Sequence, residues 1–369
     1  MTAGLISAQR IGVNLLVLTR RPPGGTGYYA INLFEALIAA ECDDSASVRI
    51  DGFAEEGAER YFSELARNRL VLLPSGTGFT RIVNEMLRLP LAARQAGVDI
   101  MINPAFLGVP WGSPRRATVI HDLYFRIAGL IPLRRRMLLR ALVPPLARRS
   151  DSVIVDSHAT KADLAHFYPH LVSKAEVVHC GNRDLRVRGD VSRPAYDRPF
   201  LLMVGAMTAN KAPETVIAAL ASLRREGRDI MLVHIGDDLG RIVPAAERAG
   251  VAASIVLLGR QPDDVLAAHY RYCEALVLPS IREGFGLPLI EAQAQGAPVI
   301  ASSCDALVEV GEDSVLYFPV ENAEKCAEAI RGVLDDPEQR RVLVDRGSAN
   351  AARFRWDRTA QRLIEVLKV

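Results

Sequence analysis

Two glutamates, Glu283 and Glu291, bracket the run Gly284-Phe285-Gly286-Leu287-Pro288. Glycines at 284 and 286 let the backbone turn tightly and present its amides, and Pro288 suits the first turn of a helix. A turn of this kind feeding a helix N-terminus gathers unpaired N–H groups and the positive end of the helix dipole, which together favour an anion. Carboxylates beside such a place accept hydrogen bonds from hydroxyls rather than bind phosphate. The combination asks for a ligand with a diphosphate in the middle and polyols at both ends, which is the chemistry of a nucleotide sugar. The plainer reading of the same residues is a βα turn with two surface glutamates.

The elements that must position these residues follow from periodicity. Strand-like runs fall at 11–18, 48–53, 70–73, 98–102, 117–120, 153–155 and 175–178, with helical patterns at 28–40, 82–96 and 161–167 between them. Residues 181–199 are polar and turn-prone, and a linker belongs there. The alternation then restarts, with strands at 200–204, 230–235, 255–258, 275–278, 299–301 and 315–318. Helices are expected at 213–226, 243–249, 263–272, 287–295 and 323–334. Strands alternating with helices imply parallel sheets covered on both faces. The expected organisation is a first domain over 1–190, a second over 191–350, and a last segment, 351–369, whose apolar stripe (Trp356, Ala360, Leu363, Ile364, Leu367) must dock on an apolar surface.

Ligands of open parallel sheets sit at the carboxyl ends of the strands. Five such loops carry polar residues: the turn Arg20-Arg21-Pro22-Pro23-Gly24-Gly25-Thr26-Gly27, His121-Asp122, Gly205 with Asn210-Lys211, Gly259-Arg260, and the loop ending in Gly286. All five are able to face one interdomain cleft.

Composition narrows the class. A chain of 369 residues with 49% apolar and 24% charged content fits about two α/β domains of ~150 residues each. It excludes intrinsic disorder and collagen. Five scattered cysteines without a CxxC pair indicate reduced thiols and no zinc ribbon. The apolar runs are too short to span a membrane, and the first ten residues do not form an export signal. A cytoplasmic protein is the expectation. Residues 115–149 hold nine Arg against one acid, Asp122. Arg134, Arg135, Arg136, Arg140, Arg148 and Arg149 are interleaved there with Leu138, Leu139, Leu142, Val143 and Leu146. Such a stretch is either a solvated helix face or a contact for an anionic membrane surface on the inner side of the cell membrane. Nucleic acid is not an expected partner, since no nucleic-acid motif accompanies the charge.

The run from Glu283 to Glu291 resembles the E-x7-E signature of family 4 of the retaining glycosyltransferases, which have the GT-B fold of two Rossmann-like doubly wound domains. Gly24-Gly25-Thr26-Gly27 is similar to that family's N-terminal glycine loop, Val119-Ile120-His121-Asp122-Leu123 to its His-Asp segment, Ser157-His158-Ala159-Thr160-Lys161 to its Ser-x-x-(Ser/Thr)-Lys helix start. Phe354-Arg355-Trp356 is similar to the Phe-x-Trp opening the terminal helix that crosses back to the first domain. By this resemblance Glu283 holds donor-sugar hydroxyls, the amides of Gly284, Phe285, Gly286 and Leu287 bind sugar or phosphate, and Glu291 holds the ribose. Lys211 binds the diphosphate, Arg260 lies in the base-binding loop, His121 faces the donor sugar, and Gly25 with Thr26 and Gly205 approaches its phosphate. Asn210 departs from the family's frequent Arg-Lys pair.

The resemblance implies transfer of a hexose, GDP-mannose being the first choice of donor, to a saccharide or polyprenyl-linked oligosaccharide. It also implies retained configuration and no cofactor. No metal is expected either, because the acid pairs (Asp43-Asp44, Asp237-Asp238, Asp263-Asp264) are adjacent rather than spaced as Asp-x-Asp. A UDP-sugar 2-epimerase-type enzyme and a non-catalytic sugar-nucleotide-binding protein share the architecture. A NAD-dependent oxidoreductase is disfavoured by the lack of GxGxxG after the first strand.

Overall fold

The computed structural model describes residues 9–18, 23–43, 48–76, 80, 83–112, 114–183, 185 and 192–368. The chain forms two compact units. The first carries a seven-stranded sheet built from β1 (Gln9–Asn14), β2 (Val48–Glu55), β3 (Leu70–Leu73), β4 (Ile100–Asn103), β5 (Arg115–Ile120), β6 (Ser152–Val155) and β7 (Ala175–Val177). Their spatial order is β3-β2-β1-β4-β5-β6-β7, with every pairing parallel. The second carries β8 (Phe200–Val204), β9 (Met231–Ile235), β10 (Ile255–Leu257), β11 (Ala275–Leu278), β12 (Val299–Ser302) and β13 (Leu316–Phe318). These lie in the order β10-β9-β8-β11-β12-β13, again all parallel. Central strands such as Phe200–Val204 are buried along their whole length, as strands covered on both faces must be.

Each sheet reverses its strand order once, between β1 and β4 and between β8 and β11. Loops leaving the two strands on either side of such a reversal diverge and open a crevice. In the second unit those are the loops carrying Lys211 and Glu283.

Several expected boundaries move for identifiable reasons. The first strand stops at Asn14 rather than continuing to 18. There the Asn14 side chain accepts from Leu16 N (3.1 Å) and donates to Asn103 Oδ1 (3.2 Å), so Leu15, Leu16 and Leu18 turn into the core. Gly25, Thr26 and Gly27 do not form an open loop; they are the first turn of the helix Gly25–Asp43, whose opening bond runs from Tyr28 N to Gly24 O. The basic stretch is the helix Leu133–Arg149. The helices Asp305–Gly311 and Pro337–Ala351 were not expected. The second starts on Asp336, which accepts from Glu338 N and Gln339 N, with Pro337 at the first helical position. Arg20 through Pro22, Asp44, Asp184 and the boundary at 190/191 fall outside the described residues. The two units divide between Gly181 and Asn182.

The segment from Arg355 belongs to the first unit. Its helix, Trp356–Leu367, buries Thr359, Ala360, Leu363 and Leu367 and packs on the helix Gly25–Asp43. Trp356 meets the Tyr29 ring edge-on at 5.4 Å. It also covers Gly181 so closely that a Cβ there would stand 2.5 Å from the indole. Truncating Leu363, which is wholly buried, to Ala should cost about 2–5 kcal/mol of unfolding free energy in a urea titration. The exposed neighbour Gln361→Ala should change it by less than about 0.5 kcal/mol; equal effects would show that this helix is not packed as described.

Candidate functional site

The site in the second unit grows from β8 and β11. After β8 the chain turns at Gly205 (φ 110°), where a side chain would be strained, and runs to a short turn, Ala209–Lys211. After β11 it runs through Ser280 and Glu283 to Gly286 (φ 105°), the residue that begins the helix Leu287–Ala294. Gly286 is required twice over. Its backbone is left-handed, and a Cβ would come within 2.6 Å of Leu307.

Asn210 ties the two loops together. It is buried, receives the Thr208 hydroxyl on Oδ1 (2.6 Å) and donates through Nδ2 to the Arg282 carbonyl (3.1 Å). Its own carbonyl accepts from Ile281 N at 2.7 Å. An arginine here has no side-chain oxygen to accept from the Thr208 hydroxyl, which gives a structural reason for the departure at this position. With the loops locked, Lys211 Nζ donates to Glu283 Oε1, and Ser280 Oγ reaches the same oxygen at 2.7 Å. Seventy-two residues separate the lysine from the glutamate.

Glu291 lies one turn into the helix and is buried. The Tyr270 hydroxyl donates to its Oε2 at 2.8 Å. Burial raises this carboxyl above its ordinary value, opposed by the positive charge of Arg183 and by the tyrosine's bond. Arg260 behaves differently. It is exposed beyond β10 and bound to Asp237 (2.8 Å), whose carboxyl its hydrogen bond holds low. The described acid pairs are engaged within the protein: Asp238 accepts from Gly240 N and Ile242 N, Asp263 pairs with Arg183, and Asp264 accepts from Val265 N.

In the first unit, an added Cβ at Gly24 or Gly25 meets nothing within 4 Å, so the helix start beside Thr26 is open. His121 follows β5, and Asp156 follows the neighbouring β6. His121 Nδ1 stands 2.5 Å from Asp156 Oδ2, and Nε2 stands 2.7 Å from the Pro104 carbonyl. A carbonyl only accepts, so Nε2 carries a hydrogen, and the carboxylate calls for a second hydrogen on Nδ1. These partners favour the imidazolium form of the ring, which is flanked edge-on by Tyr29 (4.8 Å) and Phe106 (5.7 Å). Burial pulls it toward neutrality, but the charge and hydrogen bond of Asp156 outweigh burial and raise its value. Ser157 caps the next helix, His158–Phe167, by accepting from Thr160 N at 3.0 Å.

Sequence reading named Lys211, Glu283 and Glu291 but missed Ser280, Tyr270, Arg183 and Asp156. Asp156 and Ser280 had a usable signal, since each follows a recognised strand.

With this geometry in view, two family signatures account for most of the chain. "Glycosyltransferase Family 4" matches residues 23–182, and "Glycosyl transferases group 1" matches residues 190–349. The chain belongs to the family 4 glycosyltransferases, with the two parallel-sheet Rossmann-like domains of the GT-B fold. Among similar proteins is the D-inositol 3-phosphate glycosyltransferase of Segniliparus rotundus, 30% identical over 234 residues that make up 59% of this chain and 52% of that one. The Nocardia farcinica protein of the same name is 32% identical over 46% of this chain and 40% of its own. The chain thus spans about half the length of these relatives. Solved structures of like fold include the sucrose-phosphate synthase of Thermosynechococcus elongatus (TM-score 0.76, 22% identity, 98% of each chain). Another is Anabaena HepE in complex with UDP and glucose (TM-score 0.69, 15% identity, 98% of this chain and 99% of that one).

Because the folded value of His121 is raised, the stability it contributes is complete below the unfolded value of about 6.5 and disappears as pH climbs through the folded one. The unfolding free energy lost in His121→Gln should accordingly be larger near pH ~6 than near pH ~9. A loss independent of pH over that range, followed by urea denaturation, would mean the ring is neutral.

Proposed function

We propose that the protein is a retaining, metal-independent glycosyltransferase that moves a hexose from a nucleotide diphosphate sugar to a saccharide or polyprenyl-linked saccharide. The observation that carries this reading is the joining of Lys211 and Glu283 at the switch point of the second sheet, next to the helix that starts at Gly286. Glu283 would hold hydroxyls of the donor sugar, Lys211 and the amides from Gly284 to Leu287 its diphosphate, and Glu291 its ribose. Preorganised donors of this kind stabilise a departing anion by ~3–4 kcal/mol each. In this reading the leaving phosphate takes the acceptor's proton on the same face as attack. His121, whose contacts with Asp156 and the Pro104 carbonyl favour a hydrogen on each nitrogen, would supply positive charge rather than a base. GDP-mannose is the first donor to test, from the resemblance to bacterial polysaccharide mannosyltransferases. UDP-glucose is the second, because HepE, a neighbour in fold, was solved with UDP and glucose.

The acceptor side is supported by the helix Leu133–Arg149. Its first half exposes Leu133 (64%), Met137 (64%) and Leu138 (56%) among Arg134, Arg135 and Arg140. An ordinary solvated face has no need of three exposed large apolar side chains, and this combination suits the surface of an anionic bilayer. No helix among the described residues is long and apolar enough to cross a membrane.

In chelator-treated buffer the wild type should transfer sugar from one member of a nucleotide-sugar panel. Lys211→Ala should lower kcat roughly 10²–10³-fold with a smaller effect on donor affinity. Release of free epimerised sugar, or dependence on added metal, would contradict the proposal. Replacing Arg134, Arg135 and Arg140 with Gln should abolish a salt-reversible cosedimentation with phosphatidylglycerol vesicles; no sedimentation of the wild type at low salt would remove the membrane from the account.

A further inference from the structure

Glu291 is an awkward residue to place. It is a carboxylate with 6% exposure on a helix whose other buried residues, Leu289, Ile290 and Ala292, are apolar or, in Gln293, neutral. Among the described residues its hydrogen-bond donor is Tyr270, whose ring is wholly buried at the end of the preceding helix, Asp263–Tyr272. Burial and the adjacent Glu291 charge push the phenol well above its ordinary range, so it stays protonated and donates. A carboxylate has about four lone-pair positions, and the tyrosine occupies one on Oε2. The titratable groups that act on the pair are Arg183, from the segment entering the second unit, Asp263, to which Arg183 is bound, and Cys273, whose thiol donates to the Tyr270 carbonyl.

We infer that Tyr270 is the positioning residue of the nucleotide half-site: by holding Glu291 Oε2 it fixes the carboxylate so that Oε1 accepts from a ribose hydroxyl, and so sets a preference for ribonucleotides over 2′-deoxyribonucleotides. This rests on the assignment of Glu291 to the ribose. A long side chain with three rotatable bonds loses considerable freedom on binding a diol. Tyr270 imposes that loss during folding, so a ligand meets a carboxylate already set. Arg183 adds a second support through a charge that favours the ionised form. The phenol therefore controls geometry as well as ionisation.

The test is a calorimetric titration of the full chain with GDP, UDP and the 2′-deoxy form of each, for wild type, Tyr270→Phe and Glu291→Gln, across mildly acidic to neutral pH. The wild type should favour the ribo form by about tenfold, the worth of one charge-assisted hydrogen bond. Tyr270→Phe should keep a cooperative melting curve, lose most of that preference, and bind the deoxy forms nearly as the wild type does. Its acidic limb of binding should move to higher pH, because the bond that favoured the ionised glutamate is gone. A structural role alone would weaken ribo and deoxy forms equally and leave the limb in place, and that result would overturn the inference. Should the Phe variant not fold, Tyr270→His gives the same comparison, with an altered preference supporting the assignment and an unaltered one overturning it. If Glu291→Gln loses the preference while Tyr270→Phe keeps it, only the role of Tyr270 falls. If Glu291→Gln keeps it too, or the wild type binds neither nucleotide, the ribose assignment fails and this inference with it.

Discussion

A carboxylate removed from water must be compensated where it stands, or it takes up a proton and ceases to be an anion. The second unit of this chain places two of them, Glu283 and Glu291, on either side of a helix start. Much of the surrounding sequence is explained by how each is kept. Glu283 receives Lys211 and the Ser280 hydroxyl on one oxygen. Glu291 receives the Tyr270 hydroxyl, with Arg183 nearby. Neither arrangement is a surface ion pair of the kind that contributes little. The Lys211 and Glu283 side chains are only 18% and 10% exposed, and in such surroundings removing one partner strands the other.

Holding these groups requires loops that do not move relative to one another, and the fold provides this at the strand reversal between β8 and β11. Asn210 bridges the loops with its side chain and its carbonyl. Gly286 supplies the one backbone conformation that lets the chain turn into its helix against Leu307. The first unit solves a parallel problem with other residues. His121 and Asp156 come from the ends of adjacent strands, and the histidine's second nitrogen is fixed by Pro104. In both units the polar groups gather where parallel strands end, and the apolar runs behind them fix that location.

The sheets were readable from the chain because parallel strands are buried on both faces and appear as short, unbroken apolar runs; Phe200–Val204 and Ala275–Leu278 fall where their composition places them. The periodic pattern began one helix at 161, three residues late; its start after Ser157, whose side chain accepts from Thr160 N, came from the family resemblance. The first strand was overextended because Leu15, Leu16 and Leu18 look like strand, and nothing local shows that the Asn14 side chain accepts from Leu16 N and bonds Asn103. The helix Pro337–Ala351 was missed because its polar, arginine-rich sequence carries little apolar period. Within the site, Lys211, Glu283 and Glu291 stood out because they sit in glycine-marked loops or at a fixed spacing. Tyr270 did not, since an aromatic on the buried stripe of a helix reads as core until its hydroxyl is seen to meet a carboxylate twenty-one residues later. Arg183 was hidden by its polar linker context.

The proposed activity requires the second unit to grip a nucleotide diphosphate sugar through the helix start at Gly286. A crystal structure of the chain soaked with GDP, and another with UDP, tests this most directly. The distal phosphate should lie against the amides after Glu283 and the Lys211 ammonium, with the ribose beside Glu291. Density for the nucleotide at any other place on the chain, or no binding of either nucleotide at millimolar concentration, would contradict it.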